Sequence, residues 1–312
     1  MVEISGCRFS ENRVNRISGE RTMHHGERSR RDWLTQVAGT VAAGTIATPL
    51  VAQASFASQG AAPSRKTPPF RLGLASYTFR KFPREQALAM TRQVGLEYIC
   101  FKDFHLPLDA SDEEIAQAKE DVSKFGLKLY AGGVITLGTP EQVEQAFRYA
   151  SRAGMELIIG VPRPEVIDLV EEKIQQTGIG VAIHNHGPED RLYPTPYEAY
   201  ERIRNRDKRF GLCIDIGHTI RAGVDPAKAA RELADRVLDV HIKDETEAAP
   251  KGRTIEIGRG VIDIPEFLTA LIEINFPGVV SFEFEKDPDQ PLVGLAESVG
   301  YVRGVLHTLL RS

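Results

Sequence analysis

Gly95-Leu-Glu-Tyr-Ile99 begins an apolar run directly after a polar, helix-like stretch, and this junction recurs along the chain. The other copies are Gly126-Leu-Lys-Leu-Tyr130, Gly154-Met-Glu-Leu-Ile158, Gly178-Ile-Gly-Val-Ala182, Gly211-Leu-Cys-Ile-Asp215 and Gly278-Val-Val-Ser-Phe282. A glycine just past a helix adopts the left-handed conformation that other residues resist, so we expect each of these to cap a helix. The first five copies are 31, 28, 24 and 33 residues apart, about the length of one strand–helix unit.

Helix-start signals lie in the same repeating units. Ser111 with Glu114 forms a capping box, and Thr139-Pro140 and Asp225-Pro226 each place a cap residue before a proline of the first turn. These signals support alternating strands and helices.

Two further apolar runs, Phe70–Ser76 and Val237–Ile242, bring the predicted strands to eight. Eight alternating units in about 240 residues predict an α/β fold, a single-domain (β/α)8 TIM barrel over residues 70–312. A doubly wound open sheet is the second choice. No G-x-G-x-x-G follows the first strand, which counts against the dinucleotide-binding form of that sheet.

The N-terminal region has the pattern of an export leader. Residues 28–36 read Arg-Ser-Arg-Arg-Asp-Trp-Leu-Thr-Gln, a weakly apolar stretch follows, and Ala52-Gln53-Ala54 resembles a cleavage site. The pair Arg30-Arg31 resembles a twin-arginine signal. We therefore expect residues 1–54 to engage the twin-arginine export machinery, residues 55–69 to be a flexible linker, and the body to be periplasmic or secreted. An uncleaved membrane anchor is the alternative.

Charge and cysteine content narrow the function classes. The net charge is −4, but residues 1–54 contain seven arginines and five acidic residues, so the body is more acidic, with 32 basic and 38 acidic residues. An acidic body argues against a nucleic-acid partner, which requires clustered Lys and Arg. Cys100 and Cys213 lie in the second and sixth predicted strands, far apart around a barrel, and we expect two inert buried thiols.

Polar side chains follow or end five of the predicted strands. The motifs are Lys102-Asp103-Phe104-His105, His184-Asn185-His186, Asp215-Ile-Gly-His218, His241-Ile-Lys243-Asp244 and Glu283-Phe-Glu285. The active site of a TIM barrel lies at the carboxyl ends of its strands, so these side chains should converge. A lone histidine there is usually a structural hydrogen-bond partner, but five of the chain's eight histidines are in this set. Such a cluster costs desolvation energy unless it binds something.

A mixed histidine and carboxylate shell suits one divalent ion: Mn, Co, Mg, Fe or Zn. Alternate residues of a strand share a face, so the pattern alone does not choose between His184 and His186, or between Glu283 and Glu285. An ion of this kind can hold a carbonyl and a neighbouring hydroxyl oxygen and stabilise the enediolate formed when the α-proton leaves.

Several side chains are candidates for the remaining roles. A proton acceptor must lie within hydrogen-bond reach of the α-carbon, and the candidates are Glu283, Glu285, His186, His105 and Lys102. Lys102 and Lys243 are alternatives for stabilising negative charge. Tyr77 and Phe79, after the first strand, could form an apolar wall for a sugar, although ordinary packing explains them equally well.

The motifs D-x-x-H on the sixth strand, H-x-K-D on the seventh and a glutamate on the eighth resemble the sugar phosphate isomerase/epimerase group of xylose isomerase-like TIM barrels. The resemblance covers nearly all of residues 70–310. Relatives include ketose 3-epimerases, hydroxypyruvate isomerase, inosose dehydratase and a bacterial apurinic endonuclease. The resemblance implies four metal ligands, His184, Asp215, His241 and Glu283, and makes His218 a substrate-binding residue.

Two departures from the pattern bear on function. The epimerases carry on the fifth strand a glutamate that is both ligand and base, where this chain has His184, which argues against a shuttle between two glutamates. The resemblance then makes Glu283, on the eighth strand, the first choice for a residue that both ligates and moves the proton. The endonuclease holds extra metals with an Asp and a His before an I-G-x-G turn. Here that region reads Gly252-Arg-Thr-Ile-Glu-Ile-Gly-Arg-Gly260 and lacks both, which argues against a nuclease.

The resemblance implies a metal-dependent sugar isomerase or epimerase that abstracts a proton beside a carbonyl. A 3-keto-glycoside lyase or hydrolase on the same scaffold is the close alternative, favoured by the export signal. A non-catalytic exported sugar-binding barrel is the alternative from another class. The expected partner is a small-molecule sugar, with Lys243, Tyr77 and Glu285 as further substrate-binding candidates. A homo-oligomer is compatible with the sequence.

Overall fold

The computed structural model describes residues 66–311. The expected leader and residues 55–65 of the expected linker lie outside this range, and residues 66–70 precede the first strand without forming a helix or strand. Within residues 66–311, no helix is long and apolar enough to cross a membrane.

Eight parallel strands close into a barrel. They are β1 Arg71–Ala75, β2 Tyr98–Phe101, β3 Lys128–Leu137, β4 Leu157–Pro162, β5 Gly180–His184, β6 Phe210–Asp215, β7 Val237–Ile242 and β10 Val279–Phe282. Their order around the barrel is β1-β10-β7-β6-β5-β4-β3-β2. Two short antiparallel strands after β7, β8 Asp244–Glu245 and β9 Thr254–Ile255, form a separate ribbon. The TIM barrel prediction is confirmed, and the open sheet is excluded because the first and last barrel strands pair.

Helices follow the strands in the expected alternation. They are α1 Arg84–Gln93, α2 Asp112–Lys124, α3 Pro140–Ala153, α4 Ile167–Thr177, α5 Pro196–Ile203, α6 Ile216–Arg221, α7 Pro226–Glu232, α8 Ile264–Glu273 and α9 Pro291–Leu309, with 3-10 turns at Ser76–Phe79 and Pro164–Val166. The predicted starts of α2, α3 and α7 are confirmed, each with a side chain accepting hydrogen bonds from first-turn amides. The chain therefore begins its helices where local capping chemistry directs.

The junction glycines serve two different purposes. Gly95, Gly126, Gly154 and Gly178 have φ between +64° and +79°, so they end helices in the left-handed conformation as predicted. The prediction is wrong for Gly211 and Gly278, which are not among the positive-φ glycines. There an added Cβ would lie 2.3 Å from the Arg236 carbonyl oxygen and 2.4 Å from that of Leu238, respectively. Close approach of neighbouring backbones requires these two glycines.

The core has two parts, because strand side chains alternate between the helices and the barrel axis. The larger cluster packs strands against helices, and a smaller one joins residues from six strands, including Cys100 and Cys213. Both cysteines are free and fully buried, as predicted, and burial raises the pKa of each thiol well above its usual value. Their strands lie on opposite sides of the barrel.

Candidate metal centre and active site

Four ionisable side chains meet at the carboxyl end of the barrel. His184 and Asp215 end β5 and β6, His241 lies in β7, and Glu283 follows β10. The His184 Nε2 atom lies 3.1 Å from His241 Nδ1 and 3.4 Å from Asp215 Oδ2, and His241 Nδ1 lies 3.3 Å from Glu283 Oε2. All four residues are buried, between 0% and 6% exposed. The structure thus brings the predicted tetrad together, with its ligand atoms within 4.8 Å of one another.

Three of the distances between these atoms suit a divalent ion, whereas His241 Nδ1 and Asp215 Oδ2 are farther apart, at 4.0 Å. Two ligand atoms each about 2.1 Å from an ion, seen from it at 90° to 110°, are about 3.0 to 3.4 Å apart. Asp215 Oδ2 is buried and accepts no hydrogen bond of good geometry, so one acceptor faces the centre of the cluster. Two nitrogens and two carboxylates form a donor set suited to Mn, Fe, Co or Zn, and less to Mg, which prefers oxygen.

The protonation states of His184, Asp215 and Glu283 favour the same role, whereas His241 must lose a proton to bind an ion. Burial lowers the pKa of His184 to about 3, which leaves its imidazole neutral and able to ligate. Burial would raise the pKa of Asp215 and of Glu283, but the Lys243 ammonium, with smaller contributions from neighbouring histidines, holds both well below the usual range. Burial alone would lower the pKa of His241, but Glu283, Asp239 and Asp215 together raise it above the usual value.

Lys243 is a buried cation inside this cluster. Its Nζ lies 2.7 Å from Glu283 Oε2 and 3.0 Å from Asp215 Oδ2, and it also contacts Glu285. Burial would lower the pKa of Lys243, but Asp215, Glu283 and Glu285 raise it well above the usual value, so it is charged. Gly217 makes room for this side chain, because an added Cβ would lie 2.4 Å from Lys243 Cγ.

Asp239 lies next to His241, on the side away from the cluster, and was not among the residues predicted from the sequence. Its Oδ2 lies 3.8 Å from His241 Nε2, the ring nitrogen that faces away from the cluster. Tyr130 donates to its other oxygen at 2.9 Å, and Cys213 donates to Oδ2 at 3.3 Å. A carboxylate behind a ligating histidine orients its ring and increases its basicity. The signal was available, since Asp239 shares the inward face of β7 with His241.

A cavity of about 240 Å³ opens above the tetrad. It is lined by Tyr77, Lys102, Val134, His184, His186, His218, Glu283 and Glu285. The Lys102 ammonium donates to the Val134 carbonyl oxygen at 2.9 Å and lies 3.2 Å from Asp103. The cavity therefore has an acidic and histidine-rich floor with one lysine at its wall.

The strand pattern left open which histidine of His184 and His186, and which glutamate of Glu283 and Glu285, belongs to the tetrad. His184 and Glu283 belong to the tetrad, whereas His186 and Glu285 line the cavity with side chains 36% and 31% exposed. The His184 and His186 rings lie 4.5 Å apart between centroids. His218 lies in the first turn of α6, where its backbone amide donates to Asp215 Oδ1 at 2.8 Å.

The structure does not bring His105 or Phe79 into the cavity. His105 is buried, and its Nε2 is hydrogen-bonded at 3.0 Å to the carbonyl oxygen of Phe82, which lies just before α1. This candidate base therefore binds the backbone near α1 and does not line the cavity. Phe79 is fully buried and packs on Phe82. The aromatic neighbour of Tyr77 is instead Phe104, which is 45% exposed and whose ring lies 6.2 Å from that of Tyr77.

Comparison with known proteins agrees with the architecture. Residues 88–304 match the family model described as xylose isomerase-like TIM barrel. An inosose dehydratase of Geobacillus kaustophilus is 28% identical over 116 residues, which cover 32% of this chain and 38% of the dehydratase, so the match spans less than half of that relative.

Two solved structures are similar in fold. A 3-keto-D-glucoside 4-epimerase from E. coli superposes with a TM-score of 0.62 at 17% identity, covering 75% of this chain and 99% of the epimerase. A xylose isomerase-like barrel from Mycobacterium smegmatis in complex with magnesium has a TM-score of 0.60 at 16% identity, covering 77% and 98% of the two chains. The family match, which spans most of the barrel, identifies the chain as a member of the xylose isomerase-like TIM barrel family.

Proposed function

We propose that this protein is a metal-dependent enzyme that isomerises or epimerises a sugar by removing the proton beside its carbonyl group. The observation that carries the proposal is the buried tetrad His184, Asp215, His241 and Glu283, of which His184 and Glu283 line a cavity at the strand ends. Three of its donor distances suit a divalent ion, and the similar proteins include an epimerase of a keto-glucoside and a barrel that binds magnesium.

Two residues outside the tetrad are placed to move the proton in this proposal. When bound by the tetrad, a divalent ion supplies a Lewis acid for the carbonyl oxygen. His186 and Glu285 face the cavity from the ends of β5 and β10, three strands apart around the barrel. An α-carbon between them has a proton acceptor on one face and a donor on the other, as epimerisation requires.

Lys102 and Glu283 complete the proposed chemistry. The Lys102 ammonium stabilises the negative charge that develops on the substrate as the α-proton leaves. Glu283 is the first candidate for a dual role, since a ligating carboxylate keeps a second oxygen that can accept the proton. Glu285 and His186 are the other candidates, and both line the cavity.

A lyase or hydrolase acting on a 3-keto-glycoside is the second candidate. Removing the same α-proton drives β-elimination of the glycosidic oxygen, and one similar protein is a dehydratase. A non-catalytic sugar-binding barrel is less favoured. Four buried ionisable groups that converge on one point carry a desolvation cost that simple sugar binding does not require.

Deuterium exchange tests the proposal. The purified protein, loaded in turn with Mn, Co, Mg, Fe or Zn, is incubated in deuterated water with keto-sugars and 3-keto-glycosides. We expect one α-hydrogen to exchange, and the exchange to cease after chelation or in Asp215→Asn. Asp112→Asn, at the exposed first residue of α2, serves as the matched control.

Two outcomes contradict the proposal. If elemental analysis shows that a fully active protein contains no metal, the tetrad does not act by binding an ion. Substrate conversion with no deuterium in product or recovered substrate would point instead to hydride transfer between carbons.

We also propose that residues 1–54 are a twin-arginine leader and that the barrel acts in the periplasm or outside the cell. The support is the pair Arg30-Arg31, the weakly apolar stretch after it and the Ala52-Gln53-Ala54 site. Glycosides arrive from outside the cell, whereas most sugar phosphates stay in the cytoplasm. Export therefore agrees with a substrate that is not phosphorylated.

A further inference from the structure

A second cavity, of about 410 Å³, lies beside the catalytic one, and His218 and Glu285 line both. The side chains that line only the second cavity include Arg221, Glu245, Arg253 and Lys286. Ligand pockets usually have volumes of about 300 to 1,000 Å³, so the catalytic cavity of about 240 Å³ is small for any ligand larger than one sugar ring. A larger substrate would have to extend past the shared wall.

Glu245, on strand β8, is a buried carboxylate in the second cavity. It is only 2% exposed, and its Oε1 accepts a hydrogen bond from the Thr254 hydroxyl at 3.2 Å. Its Oε2 is buried and has no hydrogen-bond partner. Burying a polar atom without a partner is unfavourable, so such an atom at a cavity wall is suited to pair with a polar group of a ligand. Burial raises the pKa of Glu245 to about 7, which lets the carboxyl group both donate and accept near neutral pH.

The cations of this cavity differ in what they already bind. Arg221 donates to the Pro250 carbonyl oxygen at 2.7 Å and pairs with Glu189, and Lys286 pairs with Glu256 at 2.8 Å. Within residues 66–311, no ion pair involves Arg253, and its side chain is exposed at the cavity wall. The cavity therefore offers one uncommitted guanidinium and one uncommitted carboxyl oxygen.

We propose that this second cavity is a subsite for a second hydroxylated ring, so that the enzyme acts on keto-glycosides or keto-disaccharides in preference to keto-monosaccharides. Arg253 donates to neighbouring hydroxyls of the second ring, and Glu245 Oε2 pairs with another. An acidic group is a poorer occupant, because Glu245 and Glu285 both face this space and two of its three cations are already paired. This inference rests on the proposed function, since it names the substrate class of the same site.

A preference ratio measures the subsite during turnover. The rate of α-hydrogen exchange in deuterated water is compared for a 3-keto-glucosyl disaccharide and for 3-keto-glucose, as kcat/KM for each. We expect the wild-type enzyme to prefer the disaccharide, and Arg253→Ala and Glu245→Ala each to reduce that preference about tenfold, the effect of losing one hydrogen bond to the second ring. Arg259→Ala is the matched control, because Arg259 follows β9, is exposed and pairs with Glu297. It should keep the wild-type preference.

Calorimetric binding separates this inference from the proposed function. The unoxidised disaccharide and free glucose are titrated into the metal-loaded protein, which requires no turnover, and circular dichroism checks that each variant is folded. If the disaccharide binds more tightly than glucose and this preference weakens in Arg253→Ala, the subsite is supported. If no exchange occurs in that case, the proposed chemistry is wrong but the subsite is not. Equal affinity for the two sugars, or an unchanged preference in both variants, overturns the subsite even if exchange is observed.

Discussion

At the scale of single residues, the candidate site depends on which charges are compensated. Lys243 contacts three carboxylates, while His184 stays neutral and His241 is held between Glu283 and Asp239. The two candidate histidine ligands therefore have different surroundings. Removing one partner of a buried ion pair leaves the other charge buried and uncompensated. Single substitutions in this cluster should therefore have large effects on stability and metal binding.

Asp239→Asn should weaken metal binding about 10- to 100-fold, because the amide is a poorer partner than the carboxylate for the far nitrogen of His241. Competition with a chromogenic chelator measures the affinity. Ser281→Ala is the matched control. Ser281 is hydrogen-bonded to the Tyr130 hydroxyl at 2.6 Å, as Asp239 is at 2.9 Å, but Ser281 is not paired with His241. Equal affinities in wild type and Asp239→Asn would show that this carboxylate has no part in metal binding.

At the scale of elements, α6 and β8 are packed so closely that one position must be glycine. An added Cβ at Gly217 in α6 would lie 2.5 Å from Lys243 Cδ and 2.9 Å from Glu245 Oε1. Lys243 cannot move aside freely, because its ammonium is held by three carboxylates. The short helix therefore positions both the charged cluster and the wall of the second cavity.

Gly217→Ala should lower the free energy of unfolding by about 1–3 kcal/mol, the usual cost of overpacking a core. Gly300→Ala in α9 is the matched substitution, since no atom lies within 4 Å of its added Cβ. There we expect a gain of about 0.5–1 kcal/mol, because alanine restricts the unfolded chain more than glycine does. Urea denaturation measures both changes. A loss of stability at Gly300 equal to that at Gly217 would refute the packing argument.

At the scale of the whole molecule, closure of the barrel determines where the chemistry can occur. Parallel pairing between β1 and β10 places the ends of β5, β6, β7 and β10 around one opening. Residues separated by about 100 positions in the chain, such as His184 and Glu283, thereby approach through their shared neighbour His241. All eight barrel strands and the helices that follow them lie within residues 71–309.

The exported protein should begin near Ser55. Cleavage after Ala54 follows from the small residues at Ala52 and Ala54, which a signal peptidase requires. N-terminal sequencing of protein from the periplasmic fraction measures the start, and replacement of Arg30 and Arg31 by lysine should leave the precursor in the cytoplasm. Functional protein that keeps residues 1–54 and stays membrane-bound would contradict the export proposal and favour the anchor.

Much of this architecture could be predicted because its signals are local. Glycine caps, first-turn prolines and apolar runs each act over a few residues, and together they gave eight strands and the starts of α2, α3 and α7. Family resemblance then indicated the four tetrad residues, which the fold brings within 4.8 Å of one another. The pattern alone left His184 and His186 equivalent, since alternation records the face of a strand but not the depth of a side chain.

The rest was decided by tertiary structure, because it depends on distances between elements remote in sequence. His105 has the same strand-end context as the other candidates, yet its ring is bonded to the Phe82 carbonyl oxygen. Gly211 follows the junction pattern, but the nearby Arg236 backbone, not a helix cap, explains it. The unpartnered oxygen of Glu245 also emerges only when β8, β9 and α6 pack together. Sequence determined which residues reach the rim, and packing determined which of them face the cavity.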